Sequence, residues 1–228
     1  MKEYITSTTI LAGFFVVACF RYFVGPYLRE WPGDRPEAAK LRHLDSAAHF
    51  WFLFRQVVAA WRAGLGMTRQ YRTPEVLAEK LMLAVCGVNE CHRGAYLHAQ
   101  AAMERGVCED EVEATLAGQF ADDDEAALTA LRYARHFAET AGDVSDDMRD
   151  AFESAFPPDT VRHMDALLVA TDFGNLCSNT VFYFERARIS GEDRHAIYGA
   201  YLLARPVDSL VRRRAILYAR KRAAREGA

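Results

Sequence analysis

The chain has 228 residues, 51% of them apolar, which is enough to bury a sizeable core. Its net charge of -3 gives no overall attraction to nucleic acid. Five cysteines (Cys19, Cys86, Cys91, Cys108 and Cys177), odd in number and without paired spacing, argue against a secreted disulfide framework and for a reducing compartment around the folded part.

Helix formers dominate, the prolines sit mostly at segment edges, and few windows alternate at period two, so the fold class is all-α. The first thirty residues stand apart. The run YITSTTILAGFFVVACFRYFV, Tyr4 to Val24, carries one charge, Arg21. Its length matches a hydrocarbon core of about 30 Å. Arg21 is near enough to the end to snorkel, and Tyr22, Tyr27 and Trp31 fit an interfacial belt. These features predict an N-terminal transmembrane anchor helix over 1–30. A buried core helix and a signal peptide are the competing readings; VVAC loosely fits a lipoprotein box, but Glu3 spoils the positive leader. Basic residues after the run (Arg29, Arg35, Lys40, Arg42) outnumber the lone Lys2 before it. That asymmetry predicts a single-pass protein of the inner (cytoplasmic) membrane with its soluble domain on the cytoplasmic side.

Residues 31–72 read as a linker and an amphipathic helix. WPGDRP (Trp31 to Pro36) breaks any continuous helix, and the helical pattern then runs from Glu37 to Ala63. Its aromatic stretch HFWFLF (His49 to Phe54) is either core or a face for a membrane or partner subunit. After a loop from Gly64 to Pro74, with Thr73 as cap, a helix runs to about Cys86 and presents Glu79. Gly87-Val88 turns the chain; Asn89 caps a helix to about Arg105, which Gly106 ends. Further helices are expected over Val107–Leu116, Asp122–Ala141, Ser145–Phe156 and Asp159–Arg188, the last with a bend at Gly174. Residues 189–228 read as a shorter helix and a basic tail, in which Arg205 to Arg225 holds eight Lys/Arg against one acid, Asp208. The tail is either drawn to an anionic inner leaflet or a solvated helix end.

The chemistry concentrates in NECHRGAYLH, Asn89 to His98. With Asn89 as cap, Cys91 falls in the first helical turn, where the helix dipole favours a thiolate. His98 lies two turns on along the same stripe, with Gly94 between them. His98 is either a proton acceptor for the thiol or a buried histidine bonded to Glu79 or a carbonyl. Cys86 is either a partner for Cys91 across the turn or a small buried hydrophobe. Cys91, His92, His98 and Glu79 lack the spacing of a closed tetrahedral metal site, so neither metal nor cofactor is expected.

The stretch AEKLMLAVCGVNECHRGAYLHAQAAMERGVCEDEVEATLAG, Ala78 to Gly118, is similar to the alkyl hydroperoxidase D (AhpD)/carboxymuconolactone decarboxylase superfamily. The resemblance rests on an acid twelve residues before the cysteine, the Asn-x-Cys turn, the His, and the GV-x-x-x-E start of the next helix. It extends weakly from Pro74 to Phe184. It implies an AhpD-like helical bundle over 73–188, oligomeric assembly, and a relay of acid, two cysteines and His that reduces peroxide or passes electrons from a lipoyl dithiol. Carried over, the relay is Glu79, Cys91 and His98, with Gly94 where the second cysteine belongs.

Three readings of function follow. In the first, a scaffold that has lost its dithiol serves as an accessory or structural subunit of a larger membrane complex of respiratory or photosynthetic type, its partners being the membrane and other subunits or copies of itself. In the second, it is a membrane-tethered thiol peroxidase or oxidoreductase using Cys91 with Glu79 and His98. The third, a decarboxylase-like enzyme with His98 as base, ranks last, since no basic residues converge on His98 in the sequence.

Overall fold

The computed structural model describes residues 42–64, 73–122, 124–186 and 192–226. The anticipated anchor at Tyr4–Val24 and most of the Gly64–Pro74 loop lie outside these residues. The described residues are all-α, in eight helices: α1 (Ala47–Gly64), α2 (Glu75–Val88), α3 (His92–Glu104), α4 (Glu109–Ala117), α5 (Glu125–Glu139), α6 (Asp146–Ala155), α7 (Pro158–Arg186) and α8 (Glu192–Glu226).

Helix α2 is the centre of the bundle because both of its faces are apolar. Leu81, Ala84 and Val85 pack with Leu131 and Ala134 of α5, Phe152 of α6, and Met164 and Leu168 of α7. Leu83 packs instead with Ala102 of α3 and Val112 of α4. A third cluster joins Phe50 of α1, Phe173 and Cys177 of α7, and Ala200 and Ala204 of α8. The long α7 therefore ties the flanking helices α1 and α8 to the central bundle. Close approach matters at Gly87, where a Cβ would run into the Leu116 carbonyl of α4.

Several helix limits differ from expectation for identifiable reasons. Residues 42–46 of the expected Glu37–Ala63 helix are not helical and α1 begins at Ala47, residues 37–41 lying outside the described residues. Residues just before it are held out of helical form by α7: Thr180 Oγ1 accepts the Leu44 N–H at 2.9 Å, and Asn179 Nδ2 donates to the Arg42 carbonyl at 2.9 Å. Thr73 does not cap α2; its Oγ1 lies 2.9 Å from His163 Nδ1 of α7. Helix α7 continues through Gly174 without interruption. The basic tail is not separate: α8 is one helix of 35 residues with Pro206 inside it. Its buried positions Ala200, Ala204, Asp208, Arg212 and Ala215 keep helical spacing across the proline, so packing outweighs the lost backbone bond. Among the described residues no helix is long and apolar enough to cross a membrane.

Candidate functional site

The site grows from the corner between α2 and α3. Asn89 was expected to cap α3; instead it follows α2 as its C-cap, and Cys91 is the N-cap of α3. The Asn89 carboxamide is engaged elsewhere. Its Oδ1 accepts from Arg42 Nη1 at 2.8 Å, its Nδ2 donates to Asp172 Oδ1 at 2.8 Å, and its backbone carbonyl accepts from Asn179 Nδ2 at 2.8 Å. An amide held this way cannot reach the first amides of the next helix. The chain passes through a left-handed residue, Glu90 at φ 49°, and the Cys91 sulfur takes over the cap, accepting the Gly94 N–H at 3.4 Å. The Cys91 N–H in turn donates to the Cys86 carbonyl at 3.1 Å.

That location does not make Cys91 a thiolate. The residue is 1% exposed, and burial pushes its thiol up to about 12, against weaker opposing help from the Gly94 N–H and the Arg93 charge. The expected low-pKa cysteine is thereby corrected: desolvation outweighs the helix terminus. Cys86 is likewise held well above the usual thiol range, by burial first and by Cys91 next. Cys86, Cys91, Cys108 and Cys177 are free thiols, and only Cys108 is exposed. Alkylation with iodoacetamide at pH 7.5 should therefore label Cys108 promptly and leave Cys86, Cys91 and Cys177 protected until unfolding. Peptide mass spectrometry reads this directly; prompt labelling of Cys91 would contradict its burial.

The position where the second relay cysteine belongs is closed. A Cβ on Gly94 would sit 2.9 Å from Cys86 Sγ and overlap Asn175 Oδ1. Asn175 Nδ2 donates to Cys86 Sγ at 3.4 Å, so the carboxamide and the sulfur hold each other in the space a side chain at 94 would need.

Glu79 and His98, nineteen residues apart, do meet: His98 Nδ1 lies 2.9 Å from Glu79 Oε2. Arg105 Nη1 is 3.5 Å from the other Glu79 oxygen. This arrangement orients the imidazole and leaves Nε2 as the ring nitrogen available to a ligand. The pair lines a pocket of about 340 Å³, with Glu104 of α3 and with Arg214, Tyr218 and Lys221 of α8. No basic residues were expected to converge on His98; the fold brings Arg214 and Lys221 into its pocket, Lys221 Nζ paired with Glu104 Oε1 at 2.9 Å. Their spacing of seven on one helix was the available signal, but which helix that face meets is a tertiary fact. Cys91 lines a different pocket of about 470 Å³, with Cys86, His92 and Glu113, whose walls include neither Glu79 nor His98. Of the three anticipated relay residues, two are joined and the thiol stands apart from them. Among the described residues, no three His, Cys, Asp or Glu side chains gather closely enough to hold a metal ion.

Comparisons with protein-family models, with curated proteins and with solved structures each found no match.

Proposed function

We propose that the chain is a membrane-anchored, AhpD-like protein that has given up its dithiol relay and serves as an accessory subunit of a larger membrane complex of respiratory or photosynthetic type. The observation that carries this reading is at Gly94. The second relay sulfur is not merely missing; its space is filled by Asn175 and Cys86. Alongside it, Cys91 is buried and protonated at neutral pH, and its pocket is not the one that His98 and Glu79 line. A proton relay needs donor and acceptor within hydrogen-bond reach, directly or through one water. The apolar run Tyr4–Val24 supports the anchor.

The test is extraction of tagged chain from native membranes in mild detergent, followed by size exclusion. Stoichiometric co-elution with integral-membrane subunits is the expected result. A partner-free homo-oligomer that turns over peroxide with a dithiol donor, and loses this with Cys91→Ser, would overturn the reading.

A second reading is favoured by one observation: Cys86 brings a sulfur close to where the side chain at 94 would begin, so the corner still holds two thiols. In that case a peroxide oxidises Cys91 to a sulfenic acid and leaves as an alcohol or water. The Cys86 thiol then displaces water to close a Cys86–Cys91 disulfide, which an external dithiol reopens. Mass spectrometry after peroxide treatment decides it: a Cys86–Cys91 peptide pair supports this route, and two unpaired thiols exclude it.

A further inference from the structure

Among the described residues, helix α1 is covered on one side, by α7 and α8. Phe50 is buried against Phe173 of α7, and Leu53 and Val57 pack beside it. Trp61, three turns beyond Phe50 along its edge, is 54% exposed, and the other side carries two large aromatics open to solvent: Trp51 at 51% and Phe52 at 61% exposure. Arg55 and Arg62 are exposed on the same side and have no ion-pair partner among the described residues. No acidic residue occurs between Ala47 and Gly64. At about 100° per residue, Arg55 and Arg62 fall within about 40° of Trp51, with Phe52 and Trp61 flanking them.

We propose that α1 lies in the plane of an anionic bilayer surface, its aromatics at the boundary of headgroups and acyl chains and its arginines on lipid phosphates. The side-chain chemistry fits that seat. Amphipathic aromatic rings favour the headgroup level, and long arginine side chains beside them can reach up to the phosphates. Two arginines without an acid match a negative surface, where basic residues are attracted within a Debye length. The helix is not apolar enough to cross the membrane; because its arginines stand among the aromatics, it is seated at headgroup level, where the rings are covered and the long guanidinium side chains reach the phosphates. Chain order agrees: α1 is the first described helix after the apolar run Tyr4–Val24, and a tether there keeps α1 close to the lipid. This inference rests on the membrane-tethered reading above.

The experiment uses the full chain with Trp31→Phe, which leaves Trp51 and Trp61 as its tryptophans. It is reconstituted into vesicles of zwitterionic and anionic phosphatidylglycerol lipids that carry bromines high on the acyl chains. Trp emission should fall by roughly half and shift to the blue, as expected for a helix seated 5–10 Å into the boundary. Adding Arg55→Gln and Arg62→Gln should bring the quenching down to the level seen in purely zwitterionic vesicles. Emission untouched by bromine but quenched by aqueous acrylamide would overturn the proposal, because the face would then be in water. Protection from both quenchers would also overturn it, in favour of a second copy or a partner subunit. Vesicle flotation separates the two levels. Failure to float at all removes both the tether and the seat, whereas flotation without bromine quenching removes the seat alone.

Discussion

Replacing Asp208 with alanine is expected to cost about 3–5 kcal/mol of folding stability, the cost of breaking a buried ion pair from one side. Asp208 is 0% exposed, and its Oδ1 accepts from the Arg93 guanidinium of α3. Arg212, one turn along α8, has its Nε 3.9 Å from the other carboxylate oxygen. Both arginines are buried. One carboxylate therefore separates two guanidinium groups in a low-dielectric interior. Burial, and next the charge of Arg93, already hold the Arg212 guanidinium below its usual range. Removing Asp208 leaves two like charges facing each other across the space it occupied. For a chain of this size the melting temperature should fall by about 6–20 °C. Asp208→Asn keeps an acceptor for Arg93 and should lose less. Replacing Arg93, Asp208 and Arg212 together by apolar residues of similar volume should recover most of the loss, since the desolvation penalty leaves with the charges. Urea unfolding of the detergent-solubilised chain measures all three. A loss below about 1 kcal/mol in Asp208→Ala, the range of exposed pairs, would mean that water reaches the cluster.

How much of this could be read from the sequence depends on the distance over which each feature is decided. Features set within one helix were legible. In α5 the apolar residues at helical spacing are Ala127, Leu128, Leu131, Ala134 and Phe137; Ala127, Leu131 and Ala134 are buried and Leu128 and Phe137 half-buried. Gly106 was expected to end α3, and it adopts φ 93° just past its C-cap. A bond from His98 to Glu79 was one of the alternatives left open for the histidine, and the resemblance put both in one relay; the imidazole and carboxylate do meet. Features set by distant segments were not legible. Asn89 left its expected capping role because Arg42 and Asp172, 47 and 83 residues away, claim its carboxamide. Cys91 lost its expected acidity because the surrounding helices enclose it, and no local rule reports that enclosure. Arg214 and Lys221 read as part of a solvated tail in the sequence, whereas α8 runs across α3 and carries them into the His98 pocket. Local propensity sets elements, whereas charge state and pocket composition belong to the packed molecule.

Gly94→Cys, which restores the motif of the resemblance, is expected to destabilise the chain without creating a peroxidase. The new Cβ would meet Cys86 Sγ at 2.9 Å and overlap the Asn175 carboxamide, both in the buried interior. Overpacking of this kind costs about 1–3 kcal/mol, or roughly 2–12 °C in melting temperature. Gly94→Ala should show most of the same loss, because the Cβ already makes the clash. Cys86→Ala combined with Gly94→Cys removes one of the two obstacles and should recover part of it, so a double-mutant cycle isolates the Cys86 contribution. Activity should not follow stability. Even with a second thiol introduced on α3, the Cys91 thiol remains buried with its pKa near 12, and Glu79 and His98 still line the other pocket. Peroxide consumption with a dithiol donor should therefore stay at background in Gly94→Cys. If the variant instead melts with the wild type, closes a disulfide between Cys91 and the introduced thiol, and turns over peroxide, then the corner is open. The relay would then be a single substitution from working, and the reading of the chain as a scaffold without a dithiol would fail at the position that carries it.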